Sequence, residues 1–128
     1  MQLLLDTHTF LWWVMDDARL SANAKSLLAN NENSCYVSTI SAWELVIKSA
    51  LGKIKLAKPA VALFIEQTQA SGFKQLDCQL AHIGLLESLP MHHRDPFDRL
   101  LIAQAQAEKL HLISADTAFD RYKIERLW

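Results

Sequence analysis

A three-layer α/β domain with a mainly parallel central sheet of four to five strands is what this sequence predicts, and three observations predict it. Short apolar runs at Leu3–Leu5, Tyr36–Ile40 and Leu112–Ser114 have the length of buried strands, and stretches of helical periodicity separate them. Parallel strands need such crossovers, and right-handed crossovers put helices on both faces of the sheet. At 128 residues and 51% hydrophobic, the chain suits one core and a single domain over 1–128, without repeats, low-complexity tracts or linkers.

Leu3-Leu4-Leu5 reads as a strand covered on both faces; Asp6-Thr7 closes it, and Phe10, Leu11, Trp13 and Val14 begin a helical pattern. Ser21 caps a second helix carrying Ala24, Leu27 and Leu28, which Asn30-Asn31-Glu32-Asn33 stops. After the strand Tyr36–Ile40, Ser41-Ala42-Trp43-Glu44 reads as a capping box, with Ile40 and Leu45 as its hydrophobic staple, opening a helix that runs to Gly52. Pro59 introduces a helix with Val61, Leu63, Phe64 and Ile65 that closes near Gly72, before a short strand at Phe73–Leu76 and a helix over Leu80–Leu89. Asp95-Pro96 opens the next helix, Asp95 with an N-cap side chain and Pro96 with the fixed φ that suits the first helical position. Its small residues Ala103, Ala105 and Ala107 let it lie close to a sheet. Leu112–Ser114 is then a strand ended by Asp116, Thr117–Phe119 a short turn, and Ile124–Trp128 a last strand.

A formal net charge of −1 excludes a protein that holds nucleic acid by a diffuse positive field, so any such contact must be local. Lys48, Lys53, Lys55 and Lys58 form the one basic segment, which suits a solvated helix end and loop better than a binding patch. Met1–Asp6 has no basic flank and reaches an acid after three leucines, so neither a signal peptide nor a membrane span is expected and the location is read as cytoplasmic. Cys35 and Cys78 lack metal-site spacing and read as reduced thiols.

The acids carry the chemistry. Asp98 falls in the middle of the apolar stripe of Leu101, Ile102 and Ala105, where a favourable contact with the helix dipole does not by itself explain a carboxylate. Asp6, Glu44, Asp95, Asp98 and Asp116 each have a local explanation as helix caps or first-turn acids. Together they stand at the carboxyl ends of strands in one parallel sheet, where ligand crevices lie, and carboxylates a few Å apart repel unless a cation sits among them. An oxygen-only donor set favours Mg²⁺ or Mn²⁺ over Zn²⁺, and phosphate-ester hydrolysis suits such a centre.

Asp6-Thr7-His8-x-x-Leu11-Trp12, the segment Ser41-x-Trp43-Glu44-x-x-x-Lys48-x-x-Leu51-Gly52-Lys53, the run His93-Arg94-Asp95-Pro96-Phe97-Asp98-Arg99-Leu100-Leu101-Ile102-Ala103-Gln104-Ala105, and Ser114-Ala115-Asp116 together resemble the PIN domain, and more narrowly the VapC-type toxins of bacterial type II toxin–antitoxin pairs. The resemblance spans the whole chain. It implies a Mg²⁺- or Mn²⁺-dependent endoribonuclease with Asp6, Glu44, Asp98 and Asp116 as metal-binding and catalytic acids, Asp95 beside them and Ser114 in support. It also implies an RNA substrate, cleavage to a 5′-phosphate and a 3′-hydroxyl, a homodimer, and a VapB-like antitoxin as partner.

Arg94, Arg99 and Lys48 are candidate phosphate contacts, each equally open to a plain surface charge or an ion pair. Trp12, Trp13 and Trp43 read as core or subunit packing before base stacking, and His8, His92 and His93 as structural. Two readings compete: a non-catalytic RNA-binding or protein-interaction domain on the same fold, and a nuclease of the same chemistry outside a toxin–antitoxin pair. A haloacid-dehalogenase-type phosphatase also begins with an Asp after an apolar strand, but it needs a second Asp where this chain has His8.

Overall fold

The three leucines near the start of the chain are completely buried at the middle of the sheet. In chain order the elements are β1 (Gln2–Leu5), α1 (Thr7–Val14), α2 (Ala22–Ala29), β2 (Ser34–Ser38), α3 (Thr39–Ala50), α4 (Ala60–Ala70), β3 (Lys74–Leu76), α5 (Leu80–Leu85), α6 (Pro96–Glu108), β4 (His111–Ile113), a 3-10 turn (Thr117–Arg121) and β5 (Arg126–Leu127). This is a computed structural model and it describes residues 1–128. The sheet order is β3-β2-β1-β4-β5 and every pairing is parallel, so all five strands run the same way.

Successive strand side chains point to opposite faces, and β1 divides the core accordingly. Leu3 and Leu5 pack with Phe10 and Leu11 of α1, Ala24 and Leu28 of α2, Leu45 of α3 and Phe64 of α4. Leu4 faces the other layer, with Leu100, Leu101, Ile102 and Ala105 of α6 and with Phe119 and Tyr122. The three-layer α/β expectation therefore holds, with five strands. No helix is long and apolar enough to cross a membrane.

The connections explain where a site can form. From β1 the chain moves outward through β2 to β3, then returns to β4 and β5 on the opposite side of β1. The order reverses between β1 and β4, and a crevice opens at the carboxyl ends of strands at such a reversal. Leu5 stands opposite Val37 on one side and Ile113 on the other, which brings the ends of the three central strands level.

Several boundaries differ from the sequence expectation: the strand expected over Tyr36–Ile40 runs over Ser34–Ser38 and the one over Leu112–Ser114 over His111–Ile113. Helix α3 begins at Thr39, because Ser38 Oγ accepts the Ile40 N–H at 3.0 Å and caps it; the Ser41–Glu44 capping box and the Ile40–Leu45 staple do not form. The earlier start puts Glu44 a full turn inside the helix, where it faces inward instead of reaching back to the cap. The helix expected over Leu80–Leu89 ends at Leu85: Gly84 weakens its last turn, and the amides of Leu86, Glu87 and Ser88 bond three residues back in tight turns. The last strand pairs only at Arg126 and Leu127.

Candidate active site

Asp6 leaves β1 at the reversal. Its Oδ1 accepts the Thr9 N–H at 2.8 Å, capping α1, and its Oδ2 accepts the hydroxyl of Ser114, the residue after β4. Ser114 Oγ in turn accepts the Asp116 N–H at 3.0 Å, while Asp116 caps the 3-10 turn through the Ala118 N–H at 2.9 Å. One serine thus ties two acids from adjacent strand ends. Asp6 and Ser114 are buried and Asp116 is exposed.

Glu44 comes in from α3 and is only 2% exposed. Thr7 Oγ1 donates to its Oε1 at 2.6 Å, and Lys48 Nζ, one turn further along α3, donates to Oε2. The ammonium of Lys48 is therefore engaged with an acid, the ion-pair alternative that its sequence reading left open.

Asp95 caps α6 as its sequence predicts, its Oδ1 accepting the Phe97 and Asp98 N–H groups at 2.9 and 3.1 Å. Asp98 lies on the same turn, partly buried, with its Oδ2 3.4 Å from His93 Nε2, a buried ring nitrogen without a hydrogen-bond partner. The other ring nitrogen, Nδ1, is 2.7 Å from Tyr122 Oη, which also accepts the His92 and His93 N–H groups at 3.2 and 3.1 Å. A phenol that accepts from two amides has its own proton to give to Nδ1, which assigns the proton of a neutral His93 ring to Nε2, on the Asp98 side.

Arg99 does not reach the acids. It is 7% exposed, and its guanidinium donates to the carbonyls of Pro90 at 2.8 Å and Leu89 at 3.2 Å and lies 3.4 Å from Tyr122 Oη. The expected phosphate contact there is corrected to a clamp that holds the turn before α6. Arg94 is exposed, beside Trp43, Met91 and Pro96 in an open groove of about 500 Å³.

The electrostatics follow from this crowding. The Asp98 carboxyl is pushed up to about 8, first by burial and then by the negative charges of Asp95, Asp6, Glu44 and Asp116. Burial also raises Asp6, against the hydrogen bonds from Ser114 and Thr9 that favour its charged form. The other four acids named in the sequence are thus within electrostatic reach of Asp98, brought there by four separate segments. As they stand, no three His, Cys, Asp or Glu side chains are drawn together tightly enough to enclose an ion. The donor chemistry nonetheless fits a hard divalent cation: the donors are oxygen only, they carry excess negative charge, and Asp95 and Asp116 each use one carboxylate oxygen as a cap and have a second in hand.

Sequence reasoning missed the hydroxyls of Thr7 and Thr9 and the pair His93–Tyr122. Thr9 Oγ1 donates to the Ile113 carbonyl at 2.9 Å, locking α1 to the end of β4. For Thr7 the signal was its place beside Asp6; for Tyr122 there was none, since its contact with His93 spans 29 residues. The tryptophans divide as expected for two of three: Trp12 packs on Trp128, and Trp13 donates from Nε1 to Ser71 Oγ at 2.9 Å and leans on Phe73. Trp43 is half exposed, edge-on to Phe97 at 4.9 Å.

A five-stranded parallel α/β domain with carboxylates gathered at the switch point of its sheet is the class that this fold and site define. The chain belongs to the PIN domain family, whose profile matches residues 3–125. Among solved structures it is similar in fold to a chain of VapBC2 from Rickettsia felis bound to a promoter DNA fragment, at 19% identity and TM-score 0.73, covering 99% of this chain and 98% of that one. A DNA-bound VapBC from Salmonella typhimurium matches at 17% identity and TM-score 0.68, covering 99% and 97%, and VapBC-5 from Mycobacterium tuberculosis at 14% and 0.61, covering 98% and 97%. No curated protein sequence matches the chain.

Proposed function

We propose that this chain is the VapC-like toxin of a type II toxin–antitoxin pair, an endoribonuclease that uses Mg²⁺ or Mn²⁺. The observation that carries the reading is the gathering of Asp6, Glu44, Asp95, Asp98 and Asp116 at one sheet edge, where each raises the cost of ionising Asp98. Helix capping explains Asp6, Asp95 and Asp116 singly, but it gives no reason for Glu44 and Asp98 to meet them. Asp6, Asp98, Asp116 and Glu44 are the residues that would hold the ion, with Asp95 beside them. An ion held there would supply Lewis acidity for hydrolysis of a phosphodiester, a reaction that would leave a 5′-phosphate and a 3′-hydroxyl.

The chain's own groups do the positioning. Ser114 fixes the rotamer of Asp6, Thr7 and Lys48 hold Glu44, and the Nε2 side of His93 faces Asp98, so three acids are aimed before substrate arrives. An acid of the cluster that does not hold the ion would take the proton of the attacking water. Arg94, exposed beside Asp95, is the remaining candidate contact to an RNA phosphate. The proposed cytoplasmic homodimer, and its VapB-like antitoxin, are consistent with the apolar side chains left open at Trp43, Leu80, Ile83 and Met91.

The test is cleavage of end-labelled RNA by the purified protein with Mn²⁺, with Mg²⁺ and in EDTA. Cutting with either ion and none in EDTA, with 5′-phosphate ends, is the expected result. Equal cleavage in EDTA sinks the metal mechanism, and RNA binding without cleavage under every condition favours the non-catalytic reading.

A further inference from the structure

The far side of Tyr122 holds a second concentration of charge, of the opposite sign. There a pocket of about 320 Å³ is lined by Arg121, Lys123 and His92, with Leu85 and Leu89 among its apolar wall, and no carboxylate lines it. Five of the 13 Lys and Arg side chains, Arg19, Lys25, Lys48, Lys58 and Arg126, are ion-paired. Arg121 and Lys123 are exposed and make no ion pair; the one hydrogen bond of the Arg121 guanidinium is a long contact, 3.4 Å, to the His92 carbonyl. Two unpaired cations on one concave wall are a ready anion site, because a carboxylate or phosphate there meets donors that no protein acid already occupies.

One buried side chain, Tyr122, links this pocket to the carboxylate cluster. The 3-10 turn that begins on Asp116 ends on Arg121, and Tyr122, which lines the pocket, reaches through its hydroxyl to His93, whose ring faces Asp98. His92 stacks edge-on against Tyr122 at 4.9 Å and leaves an exposed imidazole beside the apolar wall. A cationic rim, an aromatic ring and an apolar floor match the three parts of a nucleotide, and the volume is near the lower end, roughly 300 Å³, of sites that hold small ligands.

We propose that this pocket binds one nucleotide of the RNA strand flanking the scissile phosphate, with Arg121 and Lys123 on its backbone phosphate and the base against Leu85, Leu89 and the His92 ring. The assignment rests on the endoribonuclease reading above and adds a substrate subsite to it.

The experiment uses the double variant Arg121→Gln/Lys123→Gln, whose exposed positions leave the core untouched, and a fluorescently labelled single-stranded RNA oligonucleotide in EDTA, titrated by anisotropy over a KCl series. Affinity should fall about tenfold near 0.1 M salt, and the dependence of log affinity on log salt should become shallower by roughly 0.7, the change for one phosphate that the variant no longer neutralises. With Mn²⁺, KM should rise by a similar factor while kcat stays within about twofold, and an unchanged melting temperature separates this from unfolding. Wild-type affinity and salt slope in the variant overturn the subsite while leaving the nuclease reading intact. The same holds if the variant loses only a copurifying acidic protein and keeps its RNA affinity. A wild-type protein that neither binds nor cuts RNA overturns both.

Discussion

Helix α6 carries a buried polar cluster at each end, and the two are built on opposite principles. At its C-terminal end His82, 1% exposed, accepts the Gln79 N–H on Nδ1 at 3.0 Å and donates from Nε2 to Glu108 at 2.9 Å, so both nitrogens of its ring have a complementary partner. At its N-terminal end Asp98 is surrounded by four other carboxylates, and the one ring that faces it is too far away for a good hydrogen bond. The imidazole of the first is satisfied by the protein alone. The second carries like charges that folding would remove if stability were all that mattered, since removing one of several buried carboxylates relieves repulsion. Electrostatic excess, not burial of polar groups as such, is what separates a site from a scaffold in this molecule.

Adjacent residues make the same contrast at closer range. Arg99 follows Asp98 in sequence, yet its guanidinium is spent on two backbone carbonyls, while Asp98 is left facing other acids. Lys48 is likewise committed to Glu44.

Breaking the complementary cluster should produce the larger change in stability. His82→Ala leaves the Gln79 N–H and the Gln104 side chain without their partner and opens a cavity, at a cost of about 2–4 kcal/mol, or roughly 10 °C in melting temperature. RNA cleavage per folded molecule should not change. Thermal melts paired with active-site titration check both halves, and a variant that melts like the wild type contradicts this picture of the cluster.

The charged cluster should respond to pH instead, and more gently. Asp98 is raised from the ordinary carboxylate range to about 8, so in metal-free protein the folded state binds the proton more tightly than the unfolded chain does. Its contribution is fully present below about pH 4 and is lost as pH rises toward about 8. Melting temperature in EDTA should therefore decline from about pH 5 to about pH 8, by a few degrees, and Asp98→Asn should flatten that decline. Asp17 and Asp120 shift the opposite way through Arg19 and Arg126, and their effects fall below that window. An Asp98→Asn protein with the wild-type pH profile would show that the acids are not coupled.

The layers, the strands and most of the acids are legible in the sequence because they rest on local rules. Periodicity marks the strands, and Asp6, Asp95 and Asp116 stand where a helix or turn needs a cap; all three act as caps. Glu44 was legible as a site residue but not in its setting, since Ser41-x-x-Glu44 satisfies the capping rule on its own and only the strand register, which stops β2 at Ser38, hands the cap to that earlier serine. The commitments of Arg99 and Lys48, and the Tyr122–His93 contact beside Asp98, depend on which side chains meet across the fold, and sign or spacing along the chain does not carry that information.

The central claim is that the acids at the sheet edge form a cation site and are more than a set of caps, and Asp6→Asn tests it most directly. Asn keeps a carbonyl oxygen for the Thr9 N–H, so the α1 cap survives, and Ser114 Oγ can accept from the new amide. The measurement is the melting temperature of wild type and variant in EDTA and across a Mn²⁺ titration. A cation site predicts a variant that melts level with or above wild type in EDTA, gains markedly less from Mn²⁺, and no longer cuts RNA, because a ligand that binds only the folded state stabilises in proportion to its affinity. A variant with the full Mn²⁺ shift and wild-type cleavage would contradict it.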